Sequence, residues 1–235
     1  MGFTRQRRAY HPRPRVGSPG VLCASHSTSA LRATPTIGDV PAVVTPPELH
    51  RLTTEEYHRL VECGGFDEDA RVELIDGLIV DMSPRTPQHE NALMWLLDWL
   101  VAHLDHSRFQ HRVGAPLTIG SSEPEPDLAI VARSAPRLQH PAEALLVVEV
   151  ALSSEERDLR VKPVLYAQSV EEYWVVDLQR RCVVLHRDPA AGAYGSIEAV
   201  PADGALKARA VDVGRVPVGD LFAATFAESR GKPSG

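Results

Sequence analysis

Residues 145–154 read LLVVEVALSS. Leu145, Leu146, Val147, Val148 and Val150 form an apolar, largely β-branched run, the pattern of a strand buried on both faces. Such a strand belongs inside a sheet covered by other layers. Glu149 interrupts it. An unpaired carboxylate in that setting costs several kcal/mol or shifts its pKa until it is neutral. The strand therefore predicts a partner for Glu149.

Two other strand-like segments carry the same anomaly. Glu73 lies in RVELID, and Asp127 begins PDLAIV. Asp127 and Glu149 are separated by enough chain for two adjacent strands and a loop. Carboxylates brought together from neighbouring strands repel one another unless a cation sits between them. Hard divalent ions such as Mg²⁺ are held by one or two carboxylates with waters and substrate phosphates. That arrangement suits metal-assisted phosphodiester hydrolysis. Each acid alone also fits a salt bridge or a strand end; the three together point to a site.

The rest of the chain sets the frame. It has 235 residues, 43% hydrophobic and 24% charged, the composition of one soluble domain with extensions. No apolar stretch has the length of a membrane span. Cys23, Cys63 and Cys182 are scattered without a CxxC pair, which argues against a zinc cluster and fits a reducing, cytoplasmic setting. Residues 1–44 hold Arg5, Arg7, Arg8, Arg13, Arg15 and Arg32 against Asp39 alone, although the whole chain has a net charge of −6. The body is therefore acidic, which disfavours a broad electrostatic grip on nucleic acid and leaves room for a small metal-balanced site.

Residues 1–46 read as a disordered basic extension, rich in Arg, Pro and Ser without hydrophobic period. A nucleic-acid-touching tail, an organelle transit peptide and a passive start all fit it. A folded domain is expected over 47–226 and a flexible tail over 227–235. LTTEEYHRLVE opens with a capping box, Thr53 and Glu56, and Gly64-Gly65 closes the helix. Asp76-Gly77 between two apolar runs predicts a hairpin. A loop and an amphipathic helix follow, with Leu93, Leu96, Leu97, Leu100 and Leu104 on one stripe. FQHRVGAPLTI, PDLAIVA and ALLVVEVAL read as strands, about Glu155 to Gln168 as a helix, and EEYWVVDL with RCVVLHRD as a strand pair. Strands with inserted helices predict an α/β (α+β) domain built on a mixed sheet.

Lys162 is the only lysine in the first two hundred residues; the others are Lys207 and Lys232. A helix would align Asp158, Lys162 and Tyr166 on one face, just after the Glu149 strand. A solvated ion pair with Asp158 and a catalytic cation both fit that spacing. Pro163 places Lys162 at a helix start or a kink.

The ordered set ELIDG, SP…H, EPDLAIV, VVEVALSS, D-x-x-x-K-x-x-x-Y and EYWVVD resembles the Uma-two family of restriction-endonuclease-like proteins, within the PD-(D/E)XK nuclease superfamily. The resemblance covers about Leu52 to Phe222. It implies a restriction-endonuclease-like core, a central mixed β-sheet flanked by helices. It implies that Asp127 and Glu149 bind the metal, with the Val150 carbonyl helping, and that Glu73 joins the site. The superfamily pattern has a lysine two residues after Glu149; here that residue is Ala151, and Lys162 matches the family's lysine position. His89 could contact substrate phosphate, hydrogen-bond Glu73 or sit as a satisfied surface histidine. Trp174 reads as core and Asp177 as a turn residue.

The function expected is Mg²⁺-dependent (or Mn²⁺-dependent) endonucleolytic hydrolysis of DNA by Asp127, Glu149, Lys162 and Glu73, with a homodimer suited to cutting both strands and no membrane partner. The alternative is a catalytically inactive module of the same fold that binds nucleic acid or protein, as Ala151 and the acidic body suggest. A glycosidase would want an aromatic-lined cleft, and aromatics are only 6% of the chain.

Overall fold

A computed structural model describes residues 49–67, 69–152 and 160–227. The basic extension, Asp158, the expected first turns of its helix, and the tail beyond Ala227 lie outside the described residues. Helix α1 spans Thr54–Glu62 and starts as its sequence requires, with the Thr53 side chain accepting from the Glu56 N–H and the Glu56 carboxylate accepting from the Thr53 N–H. Gly64, at φ +71°, follows the cap.

Strands β1 (Val72–Ile75) and β2 (Leu78–Asp81) form the expected hairpin, paired Ile75 to Leu78. Asp76 and Gly77 both take positive φ, 48° and 72°, as a two-residue turn of this twist demands. A side chain at 77 would also meet Leu52 and Arg51, so glycine is required there twice over. Helix α2 (Pro87–His103) is capped by Thr86 and begins with proline.

The main sheet has six strands: β3 (Phe109–Val113), β4 (Leu128–Ala132), β5 (Ala144–Ala151), β6 (Val170–Asp177), β7 (Cys182–Ala190) and β8 (Ala193–Pro201), ordered in space as in sequence. Only β5 and β6 run parallel. Their connection over residues 152–169 carries the short helix α3 (Lys162–Tyr166), since parallel neighbours need a crossover. Strands β9 (Ala205–Lys207) and β10 (Arg215–Pro217) make a second small ladder before helix α4 (Val218–Thr225). Strand β3 is shorter than FQHRVGAPLTI suggests. Gly114 turns the chain at φ +50°, and the residues beyond it pack as a loop.

Two cores cover the sheet. Leu146, Val148 and Val150 of β5 face α2 and α4; Leu93, Leu96, Leu100 and Phe222 come to meet them. Val147 and Ala151 face the other way, toward Leu165 and Tyr166 of α3, Tyr173 and Ile75. Glu149 shares this second face by strand alternation. Trp174 is fully buried core, and Asp177 ends β6 by accepting the Arg180 backbone N–H, both as read from sequence. No helix among the described residues is long and apolar enough to cross a membrane.

A buried charge cluster ties β6 and β7 to the later chain. Glu172 accepts from Arg187 Nε at 2.7 Å, Trp174 Nε1 at 2.9 Å and the Arg209 N–H at 2.7 Å. Arg187 also donates to the Lys207 carbonyl. Glu172→Ala strands a buried guanidinium and is expected to cost about 3–5 kcal/mol in urea unfolding. A loss below about 1 kcal/mol would show that the cluster contributes little.

Candidate active site

The register of β4 and β5 builds the site. Leu128 pairs with Val148, so one residue further along Asp127 stands opposite Glu149. Two carboxylates directly opposite across a ladder repel. Both are nearly buried, at 7% and 4% exposure. The backbone offsets part of the repulsion: the Val150 N–H donates to Asp127 Oδ2 at 2.9 Å, and the Asp127 N–H donates to Glu149 Oε2 at 3.3 Å.

Cations supply the rest. Lys162, at the first position of α3, donates to Glu149 Oε1 at 2.8 Å and lies 3.4 Å from Glu73 Oε2. It is buried, not solvated. Helix α3 packs on the Glu149 face, so its lysine reaches the place that Ala151, two residues along the strand, leaves without a cation. Tyr166, one helical turn later, donates its hydroxyl to the same Glu149 oxygen at 2.9 Å. Burial and the Glu149 charge hold the Tyr166 pKa well above its usual value, so it remains a donor.

His89 Nε2 lies 2.9 Å from Asp127 Oδ2, so the residue is buried against Asp127 rather than bonded to Glu73 or spread on the surface. Burial raises the Asp127 pKa. The His89 hydrogen bond and charge, the Val150 N–H and Lys162 outweigh it, and the net shift is downward. Glu73 reaches the site because β1 is stitched to the segment leading into β4. Leu74 and Glu123 exchange backbone hydrogen bonds, and the Glu125 N–H donates to Glu73 Oε2 at 3.3 Å.

Four of the expected residues, Glu73, Asp127, Glu149 and Lys162, therefore line one pocket with His89 and Val150. Sequence reasoning missed three neighbours. Arg71 and Arg85 line the same pocket, and Arg85 Nη2 is 3.9 Å from Asp127 Oδ1. Glu125 is half-buried beside it, its pKa raised by burial and by the Glu73 charge. The signal for Glu125 was available, since it precedes Asp127 by two residues in EPEPD. Arg85 lies in the SPRTPQ loop, where one arginine among turn residues gives no signal. Gly114 makes room for it: a Cβ there would stand 3.1 Å from Arg85 Nη2.

The donor set suits a hard divalent ion, being carboxylate oxygens with a backbone carbonyl at hand. A strand residue sends its N–H and C=O to the same edge. The Val150 N–H meets Asp127, so its carbonyl leaves β5 on that edge too, past the last paired residues of β4.

A family model described as "Uma2: Putative restriction endonuclease" matches residues 54–215. No curated relative matches the chain. Among solved structures the chain is similar to "a putative nuclease belonging to DUF820 from Anabaena variabilis ATCC 29413", with a TM-score of 0.60 at 14% identity, over 74% of this chain and 99% of that one. It also matches the type IIG restriction endonuclease BpuSI over 62% of this chain and 17% of that one, at 16% identity and a TM-score of 0.36. The fold is the restriction-endonuclease-like core, a mixed central sheet flanked by helices.

Lys162→Met should destabilise the metal-free protein by about 3 kcal/mol or more, because it leaves buried carboxylates without their ammonium. Adding Glu149→Gln should recover part of that loss. A double-mutant cycle by chemical denaturation should give a coupling of about 1–3 kcal/mol; strictly additive losses would mean that the two groups do not support each other.

Proposed function

The chain belongs to the Uma2 family, and on that premise we propose that it is a divalent-metal-dependent endonuclease hydrolysing DNA phosphodiester bonds. One observation carries the reading: acids from β1, β5 and the approach to β4, and a lysine from α3, converge on one pocket. A purely structural ion pair would not need two carboxylates on one ammonium with a third lining the same pocket.

Asp127 and Glu149, with the Val150 carbonyl, would hold Mg²⁺ or Mn²⁺, and Glu73 would support them. When bound, such an ion polarises the phosphoryl oxygen and lowers the pKa of a water. The chain's own groups divide the remaining work. Lys162 orients the attacking water and stabilises negative charge as it develops on the phosphate. Tyr166 holds the Glu149 carboxylate so that its second oxygen is left toward Asp127. His89 fixes the Asp127 rotamer, a positioning role, and stands near enough to the pocket to meet a phosphate. Arg71 and Arg85 give the rim a positive edge in an otherwise acidic body, which suits a local phosphate contact rather than a long basic track. The setting proposed is cytoplasmic, and a homodimer would let two such sites address both strands.

Purified protein incubated with supercoiled, linear duplex and single-stranded DNA should cleave with Mg²⁺ or Mn²⁺ and stop on chelation. Asp127→Ala and Glu149→Ala should abolish cleavage, and Lys162→Ala should slow it by about 10²–10³-fold. Cleavage equal in all four proteins would sink the assignment. Metal-dependent binding of DNA without cleavage by the wild type would instead mark a retired nuclease fold.

A further inference from the structure

Away from the acidic pocket, three side chains from distant parts of the sequence meet: His58 on α1, Glu123 in the segment before β4, and His140 in the segment before β5. One ligand-capable atom from each lies within 4.8 Å of the other two. His58 Nε2 is 2.7 Å from Glu123 Oε2, and the two imidazoles meet edge to face, 6.0 Å between centroids.

Glu123 is the informative member. It is 3% exposed, and a buried carboxylate needs compensation. Thr118 Oγ1 donates to its Oε1 at 3.0 Å and fixes the carboxylate plane, leaving Oε2 turned toward the histidines. A carboxylate oriented by a hydroxyl behind it is how metal ligands are usually supported. The His58 side chain keeps 46% of its surface exposed, so an ion can enter from solvent.

We infer that His58, Glu123 and His140 form a second metal site, selective for Zn²⁺ or a similar borderline divalent ion. Two imidazoles and one carboxylate are the donors such ions prefer, whereas the all-oxygen acidic pocket suits Mg²⁺ or Mn²⁺. Ligand atoms around a tetrahedral Zn²⁺ are about 3.4 Å apart, given bonds of roughly 2.0–2.1 Å. Reaching that spacing takes a small adjustment of two partly exposed side chains, with His58 drawing back from its 2.7 Å contact with Glu123. Three protein ligands leave a fourth position for water. The site would pin α1 and the segment before β5 to Glu123, whose backbone is already paired with Leu74, next to Glu73. It therefore braces the strand that delivers one acid of the other pocket. The inference does not depend on the nuclease reading.

The test is titration of the full, chelator-treated chain with Co²⁺, followed by visible absorption, and then displacement by Zn²⁺. The proteins are wild type, His58→Ala, His140→Ala and the Asp127→Ala/Glu149→Ala double variant. Wild type and the acid double variant should give the same tetrahedral Co²⁺ spectrum and bind one equivalent of Zn²⁺. Each histidine variant should lose affinity by about 100-fold or more and lose the rise in Tm that Zn²⁺ gives the wild type; the metal-free Tm stays unchanged in His140→Ala and falls in His58→Ala, which removes a partner of the buried Glu123. His140→Gln serves as a second replacement if alanine perturbs the loop. A wild type without the spectrum, a spectrum retained in both histidine variants, or one lost only in the acid double variant would overturn the site.

Discussion

Asp127 faces Glu149 across the β4–β5 ladder, and the neighbourhood is organised around that repulsion. The register that joins Leu128 to Val148 leaves no other place for the two carboxylates. Burial prevents water from screening them. Four donors therefore converge: the Val150 N–H and His89 on Asp127, and Lys162 and Tyr166 on Glu149. They come from three stretches of chain, so the pair fixes the placement of α2, α3 and the end of β5 together.

The sheet makes this affordable. β5 is covered on both faces, with α2 and α4 on one side and α3, Tyr173 and the hairpin residue Ile75 on the other. The charged pair sits just past one end of the paired β4–β5 register, beyond Leu128 and Val148. Backbone polar groups there are free to serve a side chain, which is why an acid can replace a strand neighbour. The position that lacks a lysine, Ala151, lies on the same face and packs as core. The cation comes instead from α3, one layer away, and reaches Glu149 at ordinary hydrogen-bond distance.

Local chemistry was legible in the sequence, and long-range partnership was legible only in part. The capping box of Thr53 and Glu56, the Asp76-Gly77 turn and the leucine stripe of α2 are all set by neighbours within a few residues, and all appear as expected. Glu149 was conspicuous because an acid in an apolar strand violates the burial pattern. Lys162 was conspicuous by rarity. The partner of His89 was not legible: Glu73 and Asp127 are both compatible with its place on α2, and only the register of β4 decides for Asp127. Arg85 and the meeting of His58 with His140 carry no local pattern at all, since ordinary surface composition hides them, whereas Glu125 is legible from its place two residues before Asp127. The early end of β3 follows from Gly114, whose positive φ a reading of apolar alternation does not weigh.

The Asp127–Glu149 pair is poised for a divalent ion. Crystals soaked in Mn²⁺ and measured at its absorption edge test it most directly. An anomalous peak bounded by Asp127, Glu149 and the Val150 carbonyl is expected. A structure soaked to saturation with no peak there, and with Lys162 and His89 still closed on the two acids, would contradict it.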